Sequence, residues 1–348
     1  MNNSHPYITI LIPVKDRANY LFHTLKTCEI QEYKNLRVIV SDDGSVDNTK
    51  EIVYSAIKRD DRISYITPGK NSGMRNNFEF ALNHVNQGYV IFLGGDDGLM
   101  PGGIKRLAAL ICKTNAELIT WNPPIYMYPG TKSDFGLIRI GRNRKSGYIN
   151  SSNYLHRQAK CLNYISDPET PMFYVKGAAS INLVNKVKNR NDKNQFYLSP
   201  TPDGYSGIVL AGEVQNFLYE ADPITIYGVS PSSQGTAYLS GDEKSINQSE
   251  EFFSHSTETK MSDELGNQPY SPLISVMTAD YLLTAKKQKD WPGDFGEIDY
   301  KQLISQALNE LSNGLYSTVR VKRELEILSN IARTNNLSNY YLRCLENR

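Results

Sequence analysis

Between Tyr7 and Trp121 short β-rich apolar runs alternate with longer segments of helical period, and few architectures accept such a chain. The pattern is that of a mostly parallel sheet covered by helices. Strands are expected at Tyr7–Ile12, Leu36–Val40, Ile63–Ile66, Tyr89–Leu93 and Glu117–Trp121. Between them Leu21, Leu25 and Cys28 line one helix; Ile52, Val53, Ala56 and Ile57 a second; Phe78, Leu82 and Val85 a third; Leu107, Leu110 and Ile111 a fourth. Asn48 followed by Glu51 predicts the start of the second helix, with Asn48 as N-cap.

Further along, Tyr126–Arg144 is rich in Gly, Pro and basic residues and predicts loops or a hairpin. Met172–Val175 and Ala178–Leu183 read as strands and Gly207–Leu218 as a helix. Leu273–Lys287, Tyr300–Asn313 and Ser317–Arg333 have helical spacing. The expected organisation is an α/β domain over residues 1–229, a linker or mobile loop over 230–264, and a helical C-terminal subdomain over 265–348. Those helices are expected to pack on the main domain or on a second copy, with a membrane-surface role as the lesser alternative.

In parallel α/β sheets ligands bind outside the carboxyl ends of the strands. Three of these ends carry polar clusters: Pro13-Val14-Lys15-Asp16-Arg17, Ser41-Asp42-Asp43-Gly44-Ser45, and Gly94-Gly95-Asp96-Asp97-Gly98. Each alone is ordinary turn chemistry. Converging on one sheet edge, they would gather carboxylates that repel one another unless a cation or polar ligand compensates. Paired hard oxygens at Asp96 and Asp97 suit Mg²⁺ or Mn²⁺, ions held by one or two carboxylates plus substrate phosphates, so a diphosphate partner is implied. Neither a Walker loop nor Gly-x-Gly-x-x-Gly follows the first strand, which argues against a P-loop enzyme and a nicotinamide dehydrogenase.

Composition narrows the classes further. A formal net charge of +1 argues against a nucleic-acid partner. Cys28, Cys112, Cys161 and Cys344 lie far apart, without metal-like pairing or a disulfide pattern, and the polar start lacks a secretory core. A cytoplasmic protein, in peripheral contact with the inner face of a membrane, is the expectation.

The ordered succession Ile12-Pro13-Val14 with Asp16-Arg17, Val40-Ser41-Asp42-Asp43-Gly44-Ser45 with Asp47 and Thr49, Asn71 and Gly73, Phe92-Leu93-Gly94-Gly95-Asp96-Asp97, and Pro101-Gly102 resembles family 2 inverting glycosyltransferases of the GT-A fold, of the O-antigen or capsule polysaccharide type. The resemblance covers the first third of the chain. It implies a Rossmann-like nucleotide-diphospho-sugar transferase domain with a helical C-terminal extension, and a nucleotide site at Pro13, Val14, Asp16, Arg17, Asp43, Gly44, Arg75 and Asp96. Pro13 and Arg17 would line the base, and Asp43 would accept from uracil N3–H. Arg75 is equally well an exposed arginine at a helix start. Asp96 would contact ribose or metal and Asp97 the metal, with Mn²⁺ or Mg²⁺ as cofactor. The chain departs from the family where Gly94-Gly95 stands in place of Asp-Ser, so the leading carboxylate is absent.

The general base expected by resemblance is Asp203, in Pro202-Asp203-Gly204 ahead of an apolar helix, with Glu213 as runner-up. An ionised carboxylate of ordinary pKa suffices for that role. Trp121 and Asn122 meet the sugar or acceptor, or Trp121 is core. The implied reaction carries a sugar from a nucleotide-sugar donor, a UDP-sugar, to a hydroxyl of a glycan or lipid-linked acceptor with inversion. The competing readings are a non-catalytic nucleotide- or carbohydrate-binding module and a metal-dependent nucleotidyltransferase or phosphohydrolase.

Overall fold

The computed structural model describes residues 5–131, 134–141, 144–231 and 260–347. Its first strands are apolar along nearly their whole length because both faces are covered. β1 (Ile8–Val14) lies parallel to β2 (Leu36–Asp42) on one side and to β4 (Tyr89–Phe92) on the other, and β3 (Ile63–Ile66) continues outward from β2. Side chains alternate across the sheet as strand geometry requires. Ile8, Ile10, Ile12, Val38 and Val40 pack under α1 (Ala18–Glu29), α2 (Thr49–Ile57) and α4 (Gly103–Thr114), whereas Leu11, Ile39, Val90 and Phe92 join the opposite core with α3 (Met74–Leu82).

The chain winds from β1 out to β3 and returns to β4 on the other side of β1, so the order reverses there and opens a crevice at the carboxyl ends. The sheet continues through β10 (Gly177–Ser180), β6 (Leu118–Trp121), β11 (Asn216–Glu220) and β9 (Gly147–Asn150). β10 runs antiparallel to β4 and β6, which puts the turn before it beside their carboxyl ends. A second sheet of β5 (Gly98–Leu99), β12 (Thr225–Val229), β7 (Ile125–Met127) and β8 (Leu137–Arg139) stands next to that crevice.

The five expected early strands are present, and Tyr126–Arg144 holds the antiparallel pair β7–β8. Other expectations are corrected. Residues 173–175 form turns, not a strand. β10 stops at Ser180, whose Oγ caps α6 (Ile181–Lys188) by accepting from Leu183 N at 3.1 Å. The helix expected at Gly207–Leu218 is α7 (Pro202–Gly212), followed by β11; the apolar residues run on from one to the other, so period alone does not divide them. α2 does begin after Asn48, but Asp47 does the capping: its Oδ1 accepts from Thr49 N (3.0 Å) and Thr49 Oγ1 (2.5 Å) and its Oδ2 from Ala18 N (2.9 Å).

Most of the expected 230–264 segment lies outside the described residues. Beyond it come α8 (Ile274–Lys286), α9 (Tyr300–Leu311), α10 (Thr318–Thr334) and α11 (Ser338–Glu346), the last not foreseen because Tyr341 alone on it is buried. They join the same core as α5 (Ser151–Cys161) and α7. Tyr281 of α8 and Tyr164 close over Gly204, where an added Cβ would come within 2.4 and 2.6 Å of their rings. Trp291 covers Gly212 in the same way and donates its Nε1–H to Val209 O at 3.1 Å.

Asp280 of α8 is 3% exposed and accepts from Ser262 N at 2.9 Å. Burial pushes its carboxyl up to about 6 from an ordinary 3.8. A raised carboxylate binds its proton more tightly folded than unfolded, so its stability contribution is complete below the unfolded value and is lost as pH rises through about 6. Urea unfolding of the parent against Asp280→Asn between pH 4 and 7 should show a steeper downward slope in the parent. Each pKa unit is worth about 1.4 kcal/mol, so the difference amounts to a few kcal/mol at most; equal slopes would refute it.

Candidate active site

The three polar clusters meet. A Cβ on Gly95 would lie 2.9 Å from Arg17 Cβ and 3.0 Å from Val14 Cγ1, and one on Gly44, at φ +76°, 3.1 Å from Asn71 N. The strand ends are therefore in contact with one another and with the segment leading into α3. Hydrogen bonds fix them. Asp43 N–H donates to Val14 O (2.9 Å), Asp16 N–H to Ser45 Oγ (2.8 Å), and Asp16 Oδ1 accepts from Val46 N (2.8 Å).

Asp43, 3% exposed, accepts from Ser72 N (2.7 Å) and Ser72 Oγ (2.6 Å) on Oδ1 and from Gly73 N (2.9 Å) on Oδ2. Its carboxylate thus holds the segment that carries Arg75 in the first turn of α3. An ionised carboxylate offers about four lone-pair directions, so one on Oδ2 stays open to a further donor. Pro13, Lys15, Arg17 and Arg75 are partly exposed around this crevice, and Val14 is buried beneath it.

Asp96 and Asp97 are not equivalent. Asp97 is 3% exposed and accepts from Gly94 N (2.6 Å) and Gly228 N (2.8 Å), and its Oδ2 borders the space over Gly94 together with the Tyr174 hydroxyl. Burial, then the neighbouring Asp96 charge, push its carboxyl well above the ordinary range, against the pull of those donors. Asp96 is more exposed; its Oδ2 accepts from Ser230 Oγ at 2.6 Å and its carbonyl from Tyr128 OH at 3.1 Å. The Thr24 hydroxyl, 2.9 Å from Gly95 O and 2.6 Å from Asp97 O, ties the loop to α1. Among the described residues no group of three or more His, Cys, Asp or Glu stands ready to hold a metal. The donors present still fit a hard cation that takes one carboxylate, Asp96, and fills its shell from phosphate and water.

Asp203 lies in the first turn of α7. Burial raises its carboxyl, opposed by its own and Gly204's backbone N–H at the helix start, so it is not the unperturbed carboxylate the sequence implied. Its carbonyl accepts from Ser206 Oγ, which in turn accepts from Phe173 N at 3.0 Å. That chain of bonds couples α7 to the turn carrying Tyr174. Tyr174 and Tyr227 both feel the charges of Asp96, Asp97 and Asp203, so the β4 carboxylates and the α7 carboxylate share one neighbourhood with these tyrosines. Glu213 is excluded as a partner: it sits about 15 Å along α7 from Asp203, with its side chain 2% exposed and paired to Arg190 Nε and Nη2. Trp121 is fully buried, donates from Nε1 to Thr225 Oγ1 (2.7 Å) and Val175 O (3.2 Å), and belongs to the core.

Sequence reasoning missed Tyr128, Tyr174, Gly228 and Ser230. The tyrosines are three among 23, counting Tyr227, with no local pattern. Val175, next to Tyr174, holds φ 62°, which costs a β-branched residue about 1–3 kcal/mol. It is pinned from three sides, by its N–H to Phe92 O (2.8 Å) and by Trp121 and Thr225 on its carbonyl.

Residues 9–163 match the glycosyl transferase family 2 model. Over 103 residues the chain is 34% identical to the GalNAc(5)-diNAcBac-PP-undecaprenol beta-1,3-glucosyltransferase of Campylobacter jejuni, a stretch that is 29% of this chain and 33% of that protein. Over 115 residues it is 32% identical to glycosyltransferase GlyA of Streptococcus pneumoniae, 33% of this chain and 16% of that one. The chain thus spans a third or less of the length of these relatives. Its fold is similar to that of S. aureus TarS 1-349 in complex with UDP, at TM-score 0.53 and 14% identity over 98% of this chain and 92% of the other. The TarS 1-349 complex with UDP-GlcNAc gives 0.52 at 15% identity over 97% and 91%. The architecture is GT-A with a helical C-terminal region, and the segment match and relatives support a family 2 glycosyltransferase.

Asp43→Ala would leave Ser72 N without its acceptor and Gly73 N with only the longer one, Asn71 Oδ1 at 3.3 Å, at about 1–3 kcal/mol. Thermal unfolding should show that loss, and hydrogen exchange at residues 71–75 should quicken more than in β1. Uniform exchange across both segments would contradict a local role for Asp43.

Proposed function

We propose that this chain transfers a sugar from a nucleotide-sugar, a UDP-sugar, to a hydroxyl of a glycan or lipid-linked acceptor with inversion at the anomeric carbon. The observation that supports the reading is that Asp96, in the loop after β4, and Asp203, at the start of α7, both act electrostatically on Tyr174 and Tyr227 and so share one neighbourhood. The TarS neighbours in complex with UDP and UDP-GlcNAc support the donor class, and the undecaprenol-linked substrate in the Campylobacter relative's name supports a lipid-linked acceptor. Assembly of a surface polysaccharide at the inner face of the membrane is the setting we infer; no described helix is long and apolar enough to cross a bilayer.

In this reading Pro13 and Arg17 flank the base, Asp43 offers its open lone pair to it, and Gly44 and Arg75 close the far wall. Asp96 would hold the cation, Mn²⁺ or Mg²⁺. When bound, the ion acts as a Lewis acid toward the diphosphate. Asp97, turned into the protein, keeps Asp96 in place and does not ligate. Asp203 removes the proton from the acceptor hydroxyl as its oxygen attacks the anomeric carbon from the face opposite the diphosphate. The bond to the diphosphate oxygen breaks with its electron pair, leaving a nucleoside diphosphate and a protonated Asp203. Burial above the ordinary carboxylate range makes Asp203 a stronger base than a solvated aspartate, provided the pH lies above its raised value.

Calorimetric titration of UDP with Mn²⁺ should show binding by the parent chain and none by Asp96→Ala. Asp203→Asn should bind UDP within about twofold of the parent and lose roughly 10²–10⁴-fold in kcat. The acid limb of the parent's kcat/KM should lie above the usual carboxylate range. Full turnover by Asp203→Asn would instead favour a binding module or a different base, and release of pyrophosphate rather than UDP would favour nucleotidyl transfer.

A further inference from the structure

The glycine pair at 94–95 has a structural cause on the opposite side of the crevice. A Cβ on Gly94 would lie 2.3 Å from the Tyr174 hydroxyl, 2.9 Å from Asp97 Oδ2 and 3.1 Å from Asp96 Oδ1. One phenol and two carboxylates therefore surround the space that a side chain at 94 would enter, and the phenol is the closest of the three. Nothing larger than hydrogen fits while Tyr174 stays.

Tyr174 is held there by more than packing. It precedes Val175, whose left-handed backbone is kept by Phe92, Trp121 and Thr225. Phe173 N–H, on its other side, is bound to Ser206 of α7. A conformation unfavourable for valine persists only where its surroundings over-determine it. What the turn achieves is a hydroxyl beside Asp97, at the space over Gly94 that Asp97 Oδ2 also borders, while Asp97 receives Gly94 N and Gly228 N. A third carboxylate beside Asp96 and Asp97 would add like-charge repulsion, whereas a phenol supplies a hydrogen bond without charge.

We propose that Tyr174 is a positioning residue that takes the place of the carboxylate missing at Gly94: its hydroxyl fills that space and locks Asp97, so that the 94–97 loop presents Asp96 alone to the diphosphate and its cation. The inference rests on the sugar-transfer reading. It treats Gly94 and Tyr174 as one unit, so exchanging both should be tolerated where exchanging Gly94 alone is not.

The test is calorimetric titration of UDP into the full chain at several Mn²⁺ concentrations, with thermal unfolding and near-UV circular dichroism as controls. Tyr174→Phe removes one oxygen; it should keep the parent's melting temperature within a few degrees and weaken Mn²⁺-dependent UDP binding about tenfold, the loss of the polar contact that the proposal gives Asp97. Gly94→Asp should abolish the binding, and Gly94→Asp combined with Tyr174→Ala should restore it to within about tenfold of the parent. Binding by Tyr174→Phe equal to the parent's, or binding by Gly94→Asp as good as the double variant's, would overturn the inference while leaving the sugar-transfer reading intact. Absence of UDP binding by the parent itself would sink both. If the double variant does not fold, Tyr174→Phe decides.

Discussion

A single buried carboxylate joins the parts of this molecule on which its chemistry depends. Asp97 takes Gly94 N from the loop leaving β4 and Gly228 N from β12 of the second sheet, so one side chain fastens the two sheets together at the crevice. A charge there would be costly without such donors. The contact is close enough that Gly228 has no room for a Cβ, which would lie 1.7 Å from Asp96 O. Ser230 and Tyr128 reach Asp96 because this junction has already brought their strands alongside. A division between adjacent aspartates follows: Asp97 is spent on architecture, and Asp96 is left more exposed at the crevice.

The same economy of oxygens governs the nucleotide end. Asp42 accepts from Ser45 N at 2.8 Å and from Tyr65 OH at 2.8 Å, Asp47 caps α2 and fixes Ala18, and Asp43 holds Ser72 and Gly73. A crowd of carboxylates that looked in sequence like a highly charged ligand site is largely satisfied by backbone amides at helix starts and turns. What faces the crevice is a small number of oxygens and several basic side chains, a balance suited to a diphosphate with one divalent ion rather than to an isolated metal cluster.

These divisions explain what was legible in the sequence. β1 through β4 and β6 stand out because buried parallel strands must be apolar on both faces, and the polar clusters stand out because they interrupt such runs at their carboxyl ends. Local capping was nearly legible, but Asp47 and Asn48 are neighbours that satisfy the same rule, and contact with Ala18, 29 residues away, selects between them. Asp96 and Asp97 are likewise interchangeable until Gly228 arrives from 131 residues further on. Tyr174 carries no signature because its role comes from a backbone conformation that its sequence neighbours disfavour and distant side chains impose. The end of α7 was obscured because its apolar run continues into a strand of equal burial.

The C-terminal helices bear on the site through α7. Gly204 adjoins Asp203, and the rings of Tyr164 and Tyr281 press against it so closely that any side chain there would displace them. Thr201, the N-cap residue of α7, hydrogen-bonds with the hydroxyls of Tyr270 and Tyr281. The start of α7 is therefore clamped between the turn at Phe173 on one side and residues from the helical extension on the other. The Asp203 carboxyl is met by backbone N–H groups of its own helix turn and its carbonyl by the Ser206 hydroxyl, so its direction is inherited from where that turn is held. The extension thus helps to set the position of Asp203, the base proposed above, and the segment that matches the family 2 model, which ends at residue 163, does not contain the elements that place it.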